Sequence, residues 1–244
     1  MAMAVHSDKA TEKLDRKRRR EAALLKRQSR MKGLILLTGL AAVALLALAA
    51  AYAPKPKPVE FAYGELPVLG EANAPVKIVE FGDFKCPACR YFSEQIKPRL
   101  RRDYIDQGKA ALYFMNHTII GPDSFAAAMA GQSIYRQSNE AFWQFYDAIY
   151  RNQGAETVRW ATEDFLVDLA KSEGLPVDYD KLRQDIASEA YAEEVNAHNE
   201  KAEAIVTGTP TLFINGVKFT DFSDYEALKK AIDKAAVKAA GQAP

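Results

Sequence analysis

Cysteine is nearly absent from this sequence: in 244 residues only Cys86 and Cys89 carry a thiol. That excludes a disulfide-stapled scaffold, a four-cysteine zinc ribbon and an ordinary iron–sulfur cage, each of which needs more sulfur. Histidine is equally sparse, with three in the chain. A zinc site built on the two cysteines would have to recruit His117 and His198, 81 residues apart. A c-type haem attachment needs a histidine after C-x-x-C, and position 90 is Arg90, so that reading is excluded. No internal repeat is evident, and 48% hydrophobic with 27% charged residues excludes a collagenous, coiled-coil or wholly disordered chain.

The net charge of +1 hides a segregation. Residues 1–32 hold 11 Lys/Arg against 4 Asp/Glu, so the leader carries +7 and the remainder −6. Residues 33–53, GLILLTGLAAVALLALAAAYA, then run for 21 positions without a charge. At about 1.5 Å per residue that is roughly 30 Å of helix, the thickness of a bilayer core. The reading favoured is a retained transmembrane helix. A buried soluble helix and a cleaved signal peptide ending at Ala51-Tyr52-Ala53, which would release a secreted protein, are the alternatives. The run DRKRRREAALLKRQSRMK before the span, against only Lys55 and Lys57 closely after it, puts the leader in the cytoplasm and the C-terminal domain outside. Topology accounts for the basic leader, so no nucleic-acid partner is expected. Residues 54–60, with three alternating prolines, read as a stiff tether. Residues 61–240 are taken as one domain.

Within that domain residues 77–84, with Val76 before them, form an apolar, β-branched run that reads as a buried strand. A helix follows, with an apolar face through Tyr91, Ile96, Leu100 and Tyr104 and an end at Gly108. Residues 111–119 read as a second strand. Four helices are then expected, over 125–136, 141–151, 162–172 and 179 to about 206. Phe142, Phe145, Tyr146, Ile149 and Tyr150 recur at three and four residues and read as core. TPTLFIN and VKF, parted by Asn215-Gly216, read as a hairpin. Ser223-x-x-Glu226 has the form of a capping box before a last amphipathic helix. The class is α/β, a mixed sheet with helices on both faces.

The chemistry falls where the first strand meets its helix, at Cys86-Pro87-Ala88-Cys89. A helix N-terminus favours a thiolate, which makes Cys86 the nucleophile. Cys89 lies one turn on and can resolve a mixed disulfide. Pro87 suits a first helical turn. A purely structural staple is the alternative, and it would close a very short loop.

Phe81-Gly82-Asp83-Phe84-Lys85-Cys86-Pro87-Ala88-Cys89, with Thr207-Gly208-Thr209-Pro210-Thr211 more than a hundred residues later, resembles the DsbA-type thiol-disulfide oxidoreductases of the thioredoxin superfamily. Pro67-Val68-Leu69-Gly70 and Ala74-Pro75-Val76 match as well, and the single N-terminal span is most similar to the membrane-tethered BdbD-like branch. The resemblance covers about residues 60–240. It implies a thioredoxin fold interrupted by a helical domain near 120–205 and no cofactor beyond the Cys86/Cys89 disulfide; no residue is assigned as a metal ligand. Pro210 would be a cis-proline facing the pair, and Thr209 would offer backbone hydrogen bonds to a substrate strand. Glu80 matches the buried acid that accepts the resolving thiol's proton. Lys85 could favour the Cys86 thiolate. The dipeptide Pro87-Ala88 departs from the most oxidising members, which carry a histidine there. The activity implied is extracytoplasmic introduction of disulfides into reduced or unfolded secreted proteins, with reoxidation by a membrane partner, quinone-linked in such systems. The alternatives are a reductase or isomerase, for instance in cytochrome maturation, and a non-catalytic binding or chaperone module.

Overall fold

The computed structural model describes residue 28, residues 31–46, residue 48 and residues 57–241. They belong to two units, Met1–Pro56 and Lys57–Pro244. In the first, residues 31–46 form a helix, α1. The expected span 33–53 and the tether 54–60 lie partly outside the described residues, and the leader mostly so. Among the described residues no helix is long and apolar enough to cross a membrane.

The second unit is organised by β2 (Val76–Gly82), whose residues are buried on both faces apart from half-buried Lys77. A strand with no polar face must be covered from both sides, which places it inside a sheet. It pairs in parallel with β3 (Ala110–Asn116) and antiparallel with β4 (Thr211–Ile214). β1 (Val68–Leu69) and β5 (Val217–Phe219) complete the order β1-β3-β2-β4-β5. The two-residue alternation of a strand then divides the core. Val76 and Ile78 join one apolar cluster with Leu112, Phe114 and the helices, while Val79 and Phe81 join another with Tyr113, Met115 and Phe213. Glu80 shares the face of Val76 and Ile78, which is the face the active-site helix covers.

That helix is a continuous run over residues 87–105: α2 (Pro87–Tyr91), a π segment Phe92–Ile96, α3 (Lys97–Leu100) and a second π segment Arg101–Ile105. It ends at Gly108, with φ of +66°. The expected apolar face is corrected at its start: Tyr91 is 45% exposed and Phe92 fully buried, since the inward row begins at Cys89 and continues three residues on.

Between β3 and β4 stand five helices, α4 (Pro122–Gln137), α5 (Asn139–Arg151), α6 (Glu163–Ser172), α7 (Tyr179–Ala187) and α8 (Ala192–Ile205). The helix expected over 179–206 is therefore two. It closes at Glu189, whose φ is +52°, where Ala190 N donates to Asp185 O at 2.9 Å. No glycine or proline marks that closure. Ser138, Thr162 and Asp178 cap α5, α6 and α7 by accepting from the third residue on. α9 (Tyr225–Ala240) is capped by Asp224, which accepts from Ala227 N at 3.0 Å, rather than by Ser223 as the capping-box reading had it; Ser223 instead donates to Asp221.

The hairpin turn Asn215-Gly216 has φ of 45° and 79°, as a two-residue turn between twisted strands requires. It also receives the segment entering the domain. Val59 N donates to Gly216 O at 2.8 Å, and Phe61 packs its ring against Phe213 at 5.5 Å. A Cβ on Gly216 would collide with the Val59 carbonyl. Gly216→Ala is accordingly expected to cost on the order of 1–2 kcal/mol from its left-handed backbone alone, read by urea unfolding, and to speed limited proteolysis near residues 57–60.

Candidate active site: a dithiol over a buried carboxyl

β2 ends at Gly82, where any Cβ would strike the Phe114 ring. The next three residues turn the chain into α2, and a single buried carboxylate holds the turn. Asp83 Oδ1 accepts from Lys85 N at 2.8 Å, and Oδ2 accepts from Ile119 N and Ile120 N at 2.8 and 3.0 Å. Tyr150 OH donates to Asp83 O at 3.2 Å, and Gln153 Nε2 donates to Phe84 O and Cys86 O at 2.9 and 3.1 Å. The backbone on either side of Cys86 is thus fixed by α5 and the segment after it. Neither Asp83 nor Gln153 was given a site role from the sequence, and Tyr150 was read only as core. The signal lay in the hydroxyls of Tyr146 and Tyr150, which were read as plain core although a buried phenol needs a partner.

Cys86 occupies the N-cap position of α2 with Pro87 at the first helical residue. Both cysteines are free thiols, Cys86 7% exposed and Cys89 fully buried; Pro87 is exposed and Ala88 half-buried between them. Opposite stands the turn Thr209-Pro210, joined by a cis peptide bond. Cys86 Sγ donates to Thr209 O at 3.3 Å. Thr209 Oγ1 is buried without a partner, free to donate once the sulfur is charged.

These surroundings split the two acidities. The hydrogen bond from the Cys89 thiol, then the Thr209 side chain and the backbone N–H groups of Cys89 and Ala88, bring Cys86 down to about 6 against the opposing effect of burial. Burial first, then the hydrogen bond to Cys86 and the negative charges of Cys86 and Glu80, push Cys89 well above an ordinary thiol. Beneath them Glu80 is fully buried. Burial pushes its carboxyl up to about 8, while the Tyr146 hydroxyl, which donates to Oε2 at 2.8 Å, and the Lys97 ammonium pull it down. Its other oxygen, Oε1, has no partner. The fold thus brings Cys86, Cys89, Glu80, Thr209 and Pro210 together.

Lys85 behaves otherwise than expected. Its ammonium is buried against Asp123 Oδ1 at 2.6 Å and donates to Val158 O at 3.1 Å. Asp123 Oδ2 accepts from Trp160 N and Ala161 N at 3.0 and 3.2 Å. The charge is spent on tying α4 and the segment before α6 to the residue preceding Cys86. His117 and His198 lie beyond β3, with His198 Nδ1 3.4 Å from Asn116 N. Among the described residues no cluster of three or more potential ligands could hold a metal ion.

A neighbouring thiol pair of such unequal acidity serves exchange between thiols and disulfides, and the sheet beneath it is that of the thioredoxin-fold oxidoreductases. Comparisons narrow the class. The family described as Thioredoxin matches residues 63–234. A probable disulfide bond formation protein D of Bacillus cereus is 45% identical over 175 residues, 71% of this chain and 80% of that protein. Disulfide bond formation protein D of Bacillus subtilis is 33% identical over 169 residues, 69% and 76% of the two chains. The crystal structure of oxidised BdbD from Bacillus subtilis superposes with a TM-score of 0.70 at 30% identity, covering 75% of this chain and all of that one. The chain belongs to the thioredoxin family, in the branch of disulfide bond formation protein D.

Two outcomes follow from the acidities. Alkylation of Cys86 by iodoacetamide should reach half its plateau rate near pH 6, with Cys89 inert through pH 9. Glu80 binds a proton in the folded state that the unfolded chain has lost between about pH 4.5 and 8, so its burial lowers stability as pH rises through that window. Glu80→Gln should therefore raise stability by about 4 kcal/mol at pH 8, and the gain should vanish below pH 4.5 in urea titrations.

Proposed function

We propose that this protein is a membrane-anchored, extracytoplasmic oxidase that introduces disulfides into reduced secreted or envelope proteins. The observation that carries the reading is the geometry of the pair: Cys86 stands at the N-cap of the helix against the cis Thr209-Pro210 turn, and Cys89 lies buried over Glu80. A substrate thiolate attacks Cys86 Sγ of the enzyme disulfide and breaks its bond to Cys89. The departing Cys89 sulfur takes the proton of Glu80, a carboxyl that is mostly protonated at pH 7. A second substrate thiolate attacks the substrate sulfur of the mixed disulfide and expels Cys86 as its stabilised thiolate. Two electrons pass from substrate to enzyme, and a membrane partner, quinone-linked in this reading, removes them. The relatives' names, which speak of disulfide bond formation, support the same direction.

The turn Thr209-Pro210 would pair with the extended substrate strand beside Cys86. For the anchor, the support is α1: Leu34, Ile35, Leu36, Leu37, Leu40, Val43, Leu45 and Leu46 are each more than 60% exposed, so its surface is apolar all round. The excess of basic residues before it over the two lysines shortly after it supports a cytoplasmic leader.

Direction is tested by the equilibrium reduction potential of the Cys86/Cys89 pair in the full-length chain against glutathione. A value near or above about −180 mV is expected of a disulfide donor. A value near about −270 mV, that of thioredoxin, would overturn the oxidase reading in favour of a reductase or isomerase supplied with electrons across the membrane.

A further inference from the structure

Lys97 has no part in the exchange steps above, yet its position is unusual. It lies on the active-site helical run, 4% exposed. A buried ammonium is costly unless paired, and α5 supplies the partner: Lys97 Nζ is 2.5 Å from Asp147 Oδ1. The same nitrogen sits 4.9 Å from the centre of the Tyr146 ring and 5.8 Å from that of Trp143. Tyr146 in turn donates its hydroxyl to Glu80. Asp147 is the next residue along α5, and its side chain is 38% exposed. A row of groups, Glu80, Tyr146, Lys97 and Asp147, therefore leads from the floor of the site to solvent.

We propose that Lys97 is a positioning residue of the exchange reaction: with Asp147 as its counter-ion it sets the proton affinity of Glu80, and through Glu80 the readiness of Cys89 to gain or lose its proton. The inference rests on reading Glu80 as the proton partner of Cys89. The titratable groups facing Glu80 are Cys86 and Cys89 from the start of the active-site helix, Lys97 from farther along it, and Tyr146, Asp147 and Tyr150 from α5. Of the charges among them, Lys97 lowers the proton affinity of Glu80, whereas Cys86 and Asp147 raise it. Removing the ammonium leaves Asp147 to act unopposed, and removing the carboxylate frees the ammonium. The two substitutions must act in opposite directions, which loss of packing would not produce.

The test uses the reduced full-length chain and glutathione disulfide in a single turnover. Cys86 thiolate attacks one glutathione sulfur and expels a glutathione thiolate. Cys89 then passes its proton to the Glu80 carboxylate and attacks Cys86 Sγ, expelling the second glutathione thiolate. The pH midpoint of this second step is the readout. Lys97→Met should move it up by about one pH unit and Asp147→Asn down by about one, with Lys97→Arg restoring the original midpoint. Shifts in the same direction, or none in proteins whose circular dichroism is unchanged, would overturn the proposal. Should Lys97→Met fail to fold, Asp147→Asn decides by itself, a downward shift supporting the proposal and a fixed midpoint overturning it. A wild-type chain that does not exchange with glutathione disulfide would instead sink the function on which the inference rests.

Discussion

Two sulfurs three residues apart have to hold their protons with very different strength, and most of the domain serves that inequality. Cys86 stands at a helix end, where N–H groups and Thr209 welcome a charge. Cys89 stands one turn deeper, fully buried, with the Cys86 sulfur and the Glu80 carboxyl beside it. The depth is set by β2. Its alternation turns Glu80 to the same side as Val76 and Ile78, under the helix, and a shift of one residue would exchange it for Val79 or Phe81. Burying that carboxyl costs stability, as its raised proton affinity records. An acid kept protonated beneath a leaving thiolate is what the second sulfur needs.

The helical insertion is part of the same arrangement. Tyr146, Tyr150 and Asp147 come from α5, Asp123 from α4, and Gln153, Val158 and Trp160 from the segment between α5 and α6. Tyr150, Gln153, Asp123 and Val158 fix the turn into the active-site helix through Asp83, Lys85 and the carbonyls of Phe84 and Cys86, while Tyr146 and Asp147 reach Glu80 and Lys97. The Lys85–Asp123 pair is almost wholly buried. Such a pair gives little net stability, because desolvation offsets the attraction, but losing one partner leaves a buried charge and costs roughly 3–5 kcal/mol. Its effect is to make the docked position of the insertion sharply preferred over its neighbours.

Much of this was legible in the sequence because the signals were local. The strand before Cys86, the thiol pair with its proline, the aromatic row of α5 and the Asn215-Gly216 turn are each written within a dozen residues. Glu80 and Pro210 needed the resemblance, since a lone glutamate in a strand and a lone proline before one carry no role by themselves. What sequence reading missed is long-range or sterically unmarked. The break at Glu189 has neither glycine nor proline to announce it. Ser223 had the right spacing for a cap, but Asp224 stood one residue nearer and took the bond. Lys85 looked like a free cation beside a thiolate because Asp123, 38 residues on, shows nothing of its partner until the chain folds.

The acidity of Cys86 also limits how much one group can decide. With its pKa brought down to about 6, the thiolate stabilises the reduced enzyme at pH 7 by roughly 1.4 kcal/mol relative to an ordinary cysteine, about 30 mV for a two-electron couple. The interval between thioredoxin and the strongest oxidants, about 150 mV, corresponds to roughly 7 kcal/mol. With Pro87-Ala88 offering no imidazole between the sulfurs, any further shift would have to come from the other groups that distinguish the dithiol from the disulfide: Thr209 across the site, Glu80 beneath it, and Lys97 with Asp147 behind Glu80. A potential distributed in this way is adjustable in small steps. It explains why a chain that keeps the pair and the cis-proline turn can differ from its relatives in strength without any change at the cysteines themselves.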